Sequence, residues 1–195
     1  MRSNHRLPNW FIGIPVPSSG WFEQLVPSPP AGLRLFHPDD IHATVVFLGA
    51  VDESRARVGW NALRWSLAPC SATLGPVIPM GPPGHYSALS IRLLTLDSAV
   101  EHAIELCRDA ICSVVGLPLE RRPPIAHATI ARPSNRTSAE ERAAGLRWAS
   151  RIDLREHSVI LDTIALYTWT EDRRVRQFRI MERSSFGQLI DAPQL

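Results

Sequence analysis

Two histidines and two threonines stand in this chain where they could move protons and hold an anion together. His42-Ala43-Thr44-Val45 recurs as His127-Ala128-Thr129-Ile130, 85 residues later. Side chains alternate faces along extended backbone, so His42 and Thr44 share one face of a strand, and His127 and Thr129 one face of another. Ala43, Val45, Ala128 and Ile130 then turn to the opposite side, where a core would take them. Imidazoles titrate near neutrality, so two of them can hold opposite protonation states, one as base and one as acid. That pairing suits transfer at phosphorus without a metal. One ring takes a proton from the attacking oxygen and the other gives one to the leaving oxygen, each transfer contributing ~10²–10⁴-fold. Threonine hydroxyls can donate to the non-bridging oxygens, where negative charge builds, and ionised Arg can add charge-assisted bonds there.

Other readings of the same residues are weaker. One His-x-Thr phrase among seven histidines would be unremarkable, and half-buried strand histidines beside β-formers are the plain alternative. Two phrases agreeing on Ala, Thr and a β-branched residue are much rarer. Zinc would need a third protein ligand, and no H-E-x-x-H motif or Cys/His cluster accompanies His37, Asp39 and Asp40. No Gly-x-Ser-x-Gly elbow supports a Ser-His-Asp hydrolase.

The elements that must position these residues can be read along the chain. Trp10 to Val16 reads as a first strand, Trp21 to Val26 as a short helix and Leu33 to Phe36 as a short strand. Pro38-Asp39-Asp40 reads as a turn, and Ile41 to Leu48 as the strand of the first phrase. Asp52 caps a helix expected to reach about Leu67, with Val58, Ala62, Leu63 and Leu67 at helical spacing. Cys70 to Met80 and Tyr86 to Leu93 are strand-like. Asp97 or Ser98 opens a helix with Val100, Ala103, Ile104, Cys107, Ile111 and Val114 on one face, stopped by Gly116-Leu117-Pro118. Glu120 to Pro124 is a loop delivering the second phrase, Ser138 to Trp148 a helix, and Ser158 to Thr170 with Val175 to Met181 a closing hairpin. The expected architecture is α+β and bilobal: two pseudo-symmetric lobes of mainly antiparallel sheet with flanking helices around a central cleft, in a single domain over residues 1–195.

Composition narrows the chemistry further. The 195 residues are 45% apolar and 21% charged with net charge +2, those of an ordinary globular protein. All 21 basic residues are Arg and none is Lys, which excludes Schiff-base, P-loop and lysyl-adenylate chemistry. The three cysteines form no C-x-x-C pair and fit a reducing cytosol, so a cytoplasmic protein is expected. The run from Trp10 to Val16 is short for a secretion signal, and no apolar stretch reaches the ~20 residues of a membrane span. Arg121-Arg122 and Arg173-Arg174-Arg176 are candidate RNA-backbone contacts, although solvated loop charge is the commoner use. His5, His37, His85, His102 and His157 lack a partnered motif and are expected at the surface.

His42-Ala-Thr-Val-Val-Phe-Leu-Gly49, preceded by Pro38-Asp-Asp-Ile41, resembles the first motif of the two-histidine (2H) phosphoesterases, and within them that of the RNA 2′,3′-cyclic phosphodiesterases, also called 2′-5′ RNA ligases. His127-Ala-Thr-Ile-Ala-Arg132 resembles the second motif, and Trp10-Phe-Ile-Gly-Ile-Pro-Val16 the family's first strand. The resemblance implies hydrolysis of a 2′,3′-cyclic phosphate to a 2′-phosphate, on RNA ends or small nucleotides, with no metal or other cofactor, alongside an ATP-independent 2′-5′ ligation. It implies His42 and His127 as the catalytic pair, with His42 protonating the departing 3′ oxygen and His127 activating water, and Thr44, Thr129 and Arg132 as phosphate ligands. A monomer with no membrane association is expected. By strict alternation Arg132 faces away from His127 unless the strand ends near Pro133, and Phe47 has the parity of a core residue. The chain departs from the family at Thr163, where Ser is common, and at Gln177-Phe178, where a Tyr is often found. The Pro/Gly-rich segment Pro76 to His85 is expected to reshape the substrate entrance. The competing functions are a non-catalytic RNA- or nucleotide-binding module, and a 2H phosphoesterase acting on another cyclic or 2′-5′-linked nucleotide.

Overall fold

The computed structural model describes residues 7–188, so His5 lies outside the described part. Nine strands form one sheet: β1 (Asn9–Pro15), β2 (Leu33–Leu35), β3 (His42–Ala50), β4 (Cys70–Met80), β5 (Ala88–Thr95), β6 (His127–Pro133), β7 (Ser158–Leu161), β8 (Thr163–Trp169) and β9 (Phe178–Ser185). The order is β7-β4-β5-β6-β3-β1-β8-β9, every pairing is antiparallel, and β2 joins β6 alongside that path. The helices are α1 (Phe22–Leu25), α2 (Glu53–Asn61), α3 (Ala99–Val115) and α4 (Ala139–Ala149). This is the expected α+β architecture.

The two His strands sit in the middle of the order and join its halves. They meet at one registered pair, Ala43 opposite Ala128, near the beginning of each strand. On one side β3 leads to β1, β8 and β9; on the other β6 leads to β5, β4 and β7. The closing segment crosses between these halves. Ser158 to Thr170 is not one strand but two, broken at Asp162: β7 pairs with β4, and β8 with β1 and β9. Since one residue separates strands at opposite flanks of the order, the sheet must curl until those flanks approach. The apolar interior is one connected cluster spanning both halves, from Phe11 and Ile14 through Leu93 and Ile111 to Leu166.

Local sequence explains three of the helix ends. Asp52 accepts from the Arg55 N–H at the start of α2, and Ser138 with Glu141 forms a reciprocal capping box on α4. Gly116 ends α3 in the left-handed conformation, φ 66°, which suits a residue without Cβ. Two expectations about apolar faces fail. Helix α2 stops at Asn61 rather than Leu67, because Leu63 and Trp65 are both buried and a two-residue spacing needs extended chain, while Arg64 donates to the carbonyls of Asn61 and Leu63. Val58 and Val114 are exposed; Gly59, Trp60 and Val115 take the inner face instead. Cys70, Cys107 and Cys112 are free thiols, the last two buried. Among the described residues no helix is long and apolar enough to cross a membrane.

Candidate active site

The Ala43–Ala128 pair fixes the geometry of the site. Both alanines are fully buried, facing the core. Carried one residue either way, that register sets His42 opposite Thr129 and Thr44 opposite His127 on the other face of the sheet. The result is a two-by-two array with imidazoles on one diagonal and hydroxyls on the other. The structure therefore brings together His42, Thr44, His127 and Thr129.

Each phrase is followed by the same irregularity. The β1–β3 register slips so that Ile12 faces Val46 while Gly13 faces Thr44, and the β5–β6 register slips so that Leu89 faces Ala131 while Ser90 faces Thr129. An extra residue is thus accommodated after each His-x-Thr, and two consecutive side chains are buried: Val45 with Val46, Ile130 with Ala131. Parity then inverts. Arg132, expected to face away, returns to the face of His127 and Thr129, where its guanidinium lies 5.4 Å from the centre of the Phe36 ring. Phe47, expected in the core, is 58% exposed on the cleft side. Strict alternation failed for both residues at the same structural step.

Both imidazoles are oriented by backbone. Nδ1 of His42 donates to the Asp40 carbonyl at 2.6 Å, and Nδ1 of His127 to the Ile125 carbonyl at 2.6 Å. A carbonyl only accepts, so each neutral ring carries its proton on Nδ1 and leaves Nε2 with a free lone pair. Their surroundings differ. His42 is 8% exposed, stacked on Phe11 with ring centres 4.5 Å apart, tilted against Tyr167 at 5.2 Å and met edge-on by Phe178 at 5.3 Å. Burial lowers its pKa to about 4, with Arg132 and His127 adding to the fall and the Asp40 hydrogen bond opposing it. His127 is half-buried; burial, then Arg92 and Arg132, lower its pKa against the Ile125 hydrogen bond.

Arg92 and Ser90 face His127 and Thr129 across β5. The Ser90 hydroxyl is 3.1 Å from that of Thr129, and Arg92 reaches Glu101 at 3.5 Å with its buried Nε unpartnered. A cavity of about 600 Å³ opens beside the array. Thr44, His127, Phe47, Met80, Ile104 and Ile125 contribute to its wall, as does the Leu117–Pro124 loop. Arg108 holds that loop by donating to the carbonyls of Glu120 and Arg122. Within the Pro/Gly-rich segment Pro76 to His85, only Met80 lines this cavity; the rest continues β4 and its turn into β5. A second cavity, of about 410 Å³, is lined by Thr163, Tyr167, Arg176 and Arg183 on the β1–β8–β9 side. Among the described residues no three His, Cys, Asp or Glu side chains gather as a metal-binding group.

No family model matches the chain. It is 30% identical over 139 residues to the RNA 2′,3′-cyclic phosphodiesterase of Bacillus subtilis (strain 168), which spans 64% of this chain and 71% of that protein. The chain belongs to the two-histidine (2H) phosphoesterases, in the family of that RNA 2′,3′-cyclic phosphodiesterase. Its fold superposes on apo E. coli LigT with a TM-score of 0.65 and 18% identity, covering 93% of this chain and 99% of LigT. E. coli LigT complexed with 3′-AMP gives 0.63 at the same identity and coverage.

The remaining residues of this 2H phosphoesterase sort plainly. Ser90, Arg92, Phe11, Tyr167 and Phe178 pack against or pair with the array and were not anticipated. Ser90 and Arg92 had a signal: they are polar at every second position of the otherwise apolar run Ala88 to Leu93. Where a family Tyr was missed at Gln177-Phe178, Tyr167 brings a phenol against His42 from β8 instead. The arginine clusters are largely self-neutralised. Arg122 is paired with Glu120, Arg174 with Asp172 and Arg176 with Asp39 and Asp40, while Arg173 lies over Trp169. His37, His85 and His102 are exposed and His157 is half-buried.

Proposed function

We propose that this 2H phosphoesterase opens 2′,3′-cyclic phosphates, on RNA ends or small nucleotides, to 2′-phosphates, with the two halves of the sheet acting as one domain. The observation that carries the reading is the diagonal array: two imidazoles with free Nε2 atoms and two hydroxyls on one face, meeting at Ala43–Ala128. The named activity of the B. subtilis relative and the 3′-AMP complex of LigT support it. In the proposed step, one Nε2 takes a proton from water as its oxygen bonds to phosphorus. The P–O3′ bond breaks, and the other imidazole hands its proton to O3′. Thr44, Thr129 and Arg132 hold the non-bridging oxygens.

Burial divides the two roles. The drier His42, with pKa about 4, is the ring found neutral, and His127 is the ring more often protonated. We therefore assign His42 as base and His127 as acid, the reverse of the expectation from sequence. With a ribose 5′-hydroxyl in place of water, the same two transfers give a 2′-5′ linkage without ATP.

The test is incubation with nucleoside 2′,3′-cyclic monophosphates and a short RNA ending in a 2′,3′-cyclic phosphate, with and without chelator. Release of the 2′-phosphate in both is the expected result. Absence of product with nucleotide binding retained would make the protein a non-catalytic binding module. Activity only on other cyclic or 2′-5′-linked nucleotides would keep the chemistry and change the substrate.

A further inference from the structure

Asp40 is the most deeply buried acidic residue near the array, 1% exposed. Its backbone carbonyl fixes the His42 tautomer. Ile125 does the same for His127 with an apolar side chain, so that task needs no carboxylate. The carboxylate of Asp40 is engaged elsewhere. Oδ2 accepts from the Gln177 N–H at 2.7 Å and Oδ1 from the Phe178 N–H at 3.1 Å, across 137 and 138 residues of chain. Arg176 Nε, buried and without a hydrogen-bond partner, stands 3.6 Å from Oδ1. Burying a carboxylate is costly unless donors surround it. Here the donors are Gln177, just before β9, and Phe178, its first residue, and Phe178 is the residue whose ring closes the cage over His42. That ring also meets Phe11 at 4.9 Å and Phe36 at 6.4 Å.

We propose that Asp40 is a positioning residue: its carboxylate anchors the start of β9 so that Phe178 seals His42 from water, making this ring, and not His127, the dry member of the pair. The importance for turnover rests on the reading of His42 as a proton carrier. The groups facing His42 are Phe11 from β1, Tyr167 from β8, Phe178 from β9, and His127 with Arg132 from β6; Arg176 lies beyond Asp40. Asp40 ties the backbone at the start of β9 to the segment that enters β3 through two hydrogen bonds to its buried carboxylate. The buried ring's pKa of about 4 fits that sealing.

The experiment substitutes Asp40→Asn in the full chain and follows the His42 ring by NMR titration without substrate, together with kinetics on a 2′,3′-cyclic nucleotide. The carboxamide turns an NH₂ toward a backbone N–H, so one anchoring bond is lost and Arg176 keeps only Asp39 as a counter-charge. The His42 titration is expected to rise by at least about 1 pH unit as water enters. The acid limb of kcat/KM moves with it, kcat falls about 10-fold and KM stays within about threefold. Phe178→Leu keeps both backbone hydrogen bonds and removes the ring edge, and should raise the titration in the same way; it decides the matter should Asp40→Asn not fold. A folded variant of either kind whose His42 titrates where the wild type does overturns the proposal. The titration needs no turnover. A wild type inert on every cyclic phosphate would therefore sink the functional reading and leave the positioning role intact, and activity with an indifferent His42 would do the reverse.

Discussion

Burial of His42 makes the stability of the whole protein depend on pH in a way that one substitution can isolate. In the unfolded chain the imidazole binds its proton with the ordinary value of 6.5, and in the folded protein with a value of about 4. Between those values the unfolded chain holds a proton that the native state does not. Stability is therefore complete above 6.5 and declines as pH falls toward 4. The full difference is ~3 kcal/mol, of which ~2.5 kcal/mol is already lost at about pH 4.5. Carboxylates and His127 also titrate in this range, so the informative quantity is a difference of differences: wild type against His42→Gln, each unfolded in urea at about pH 7.5 and about pH 4.5. With a denaturant slope of about 2 kcal/mol/M, the wild-type midpoint should drop by roughly 1 M more than that of the variant. Equal drops in the two proteins would refute the reasoning, because they would mean that the folded state protonates His42 as readily as water does.

Three further outcomes are expected. The kcat/KM profile on a cyclic nucleotide should be a bell lying on the acid side of neutrality, with one limb near His42's value of about 4 and the other below the ordinary 6.5 of His127; a maximum near pH 8 would contradict both lowered imidazoles. His42→Ala or His127→Ala should each cost at least ~10²-fold in turnover, and Thr44→Ala or Thr129→Ala about 10-fold, read by product release under saturating substrate. Gly13→Ala should destabilise the protein by about 1–3 kcal/mol and depress turnover, since its Cβ would fall 2.9 Å from the Ala43 carbonyl and 3.5 Å from His42 Cδ2; an unchanged Tm would show that β1 can retreat from the catalytic strand.

Much of this was legible from residues alone. The two phrases lie on strands as their β-branched neighbours required, the alanines face the core, and caps at Asp52 and Ser138 begin the helices they announced. Three features were hidden, for physical reasons. The register slips after Thr44 and Thr129 depend on partner strands β1 and β5, so the parity of Phe47 and Arg132 is not a property of their own segments. The break at Asp162 interrupts a continuous β-forming run without Gly or Pro, and only the curl of the sheet calls for it. The short span of α2 follows from burying Leu63 and Trp65, a packing demand that helical spacing at Ala62, Leu63 and Leu67 concealed.

The repeated phrase and the asymmetric chemistry can be reconciled. Each copy supplies the same backbone device: an imidazole whose Nδ1 is held by the carbonyl two residues earlier, a hydroxyl two residues later, and a slip that turns the fifth residue after the histidine into the cleft. Nothing in that device distinguishes base from acid. The distinction comes from the neighbouring strands. Beside β3, Gly13 and Phe11 of β1 let aromatic rings close on His42, whereas beside β6 the matching strand β5 presents Ser90 and Arg92 to His127. Burial lowers both proton affinities and Arg92 lowers that of His127 as well, so the deeper desolvation of His42 inside its aromatic cage is what separates the pair. Exchanging the surroundings rather than the phrases is what should exchange the roles, so substitutions in β1 and β9 should move the His42 limb of the pH profile, and substitutions at Arg92 the His127 limb.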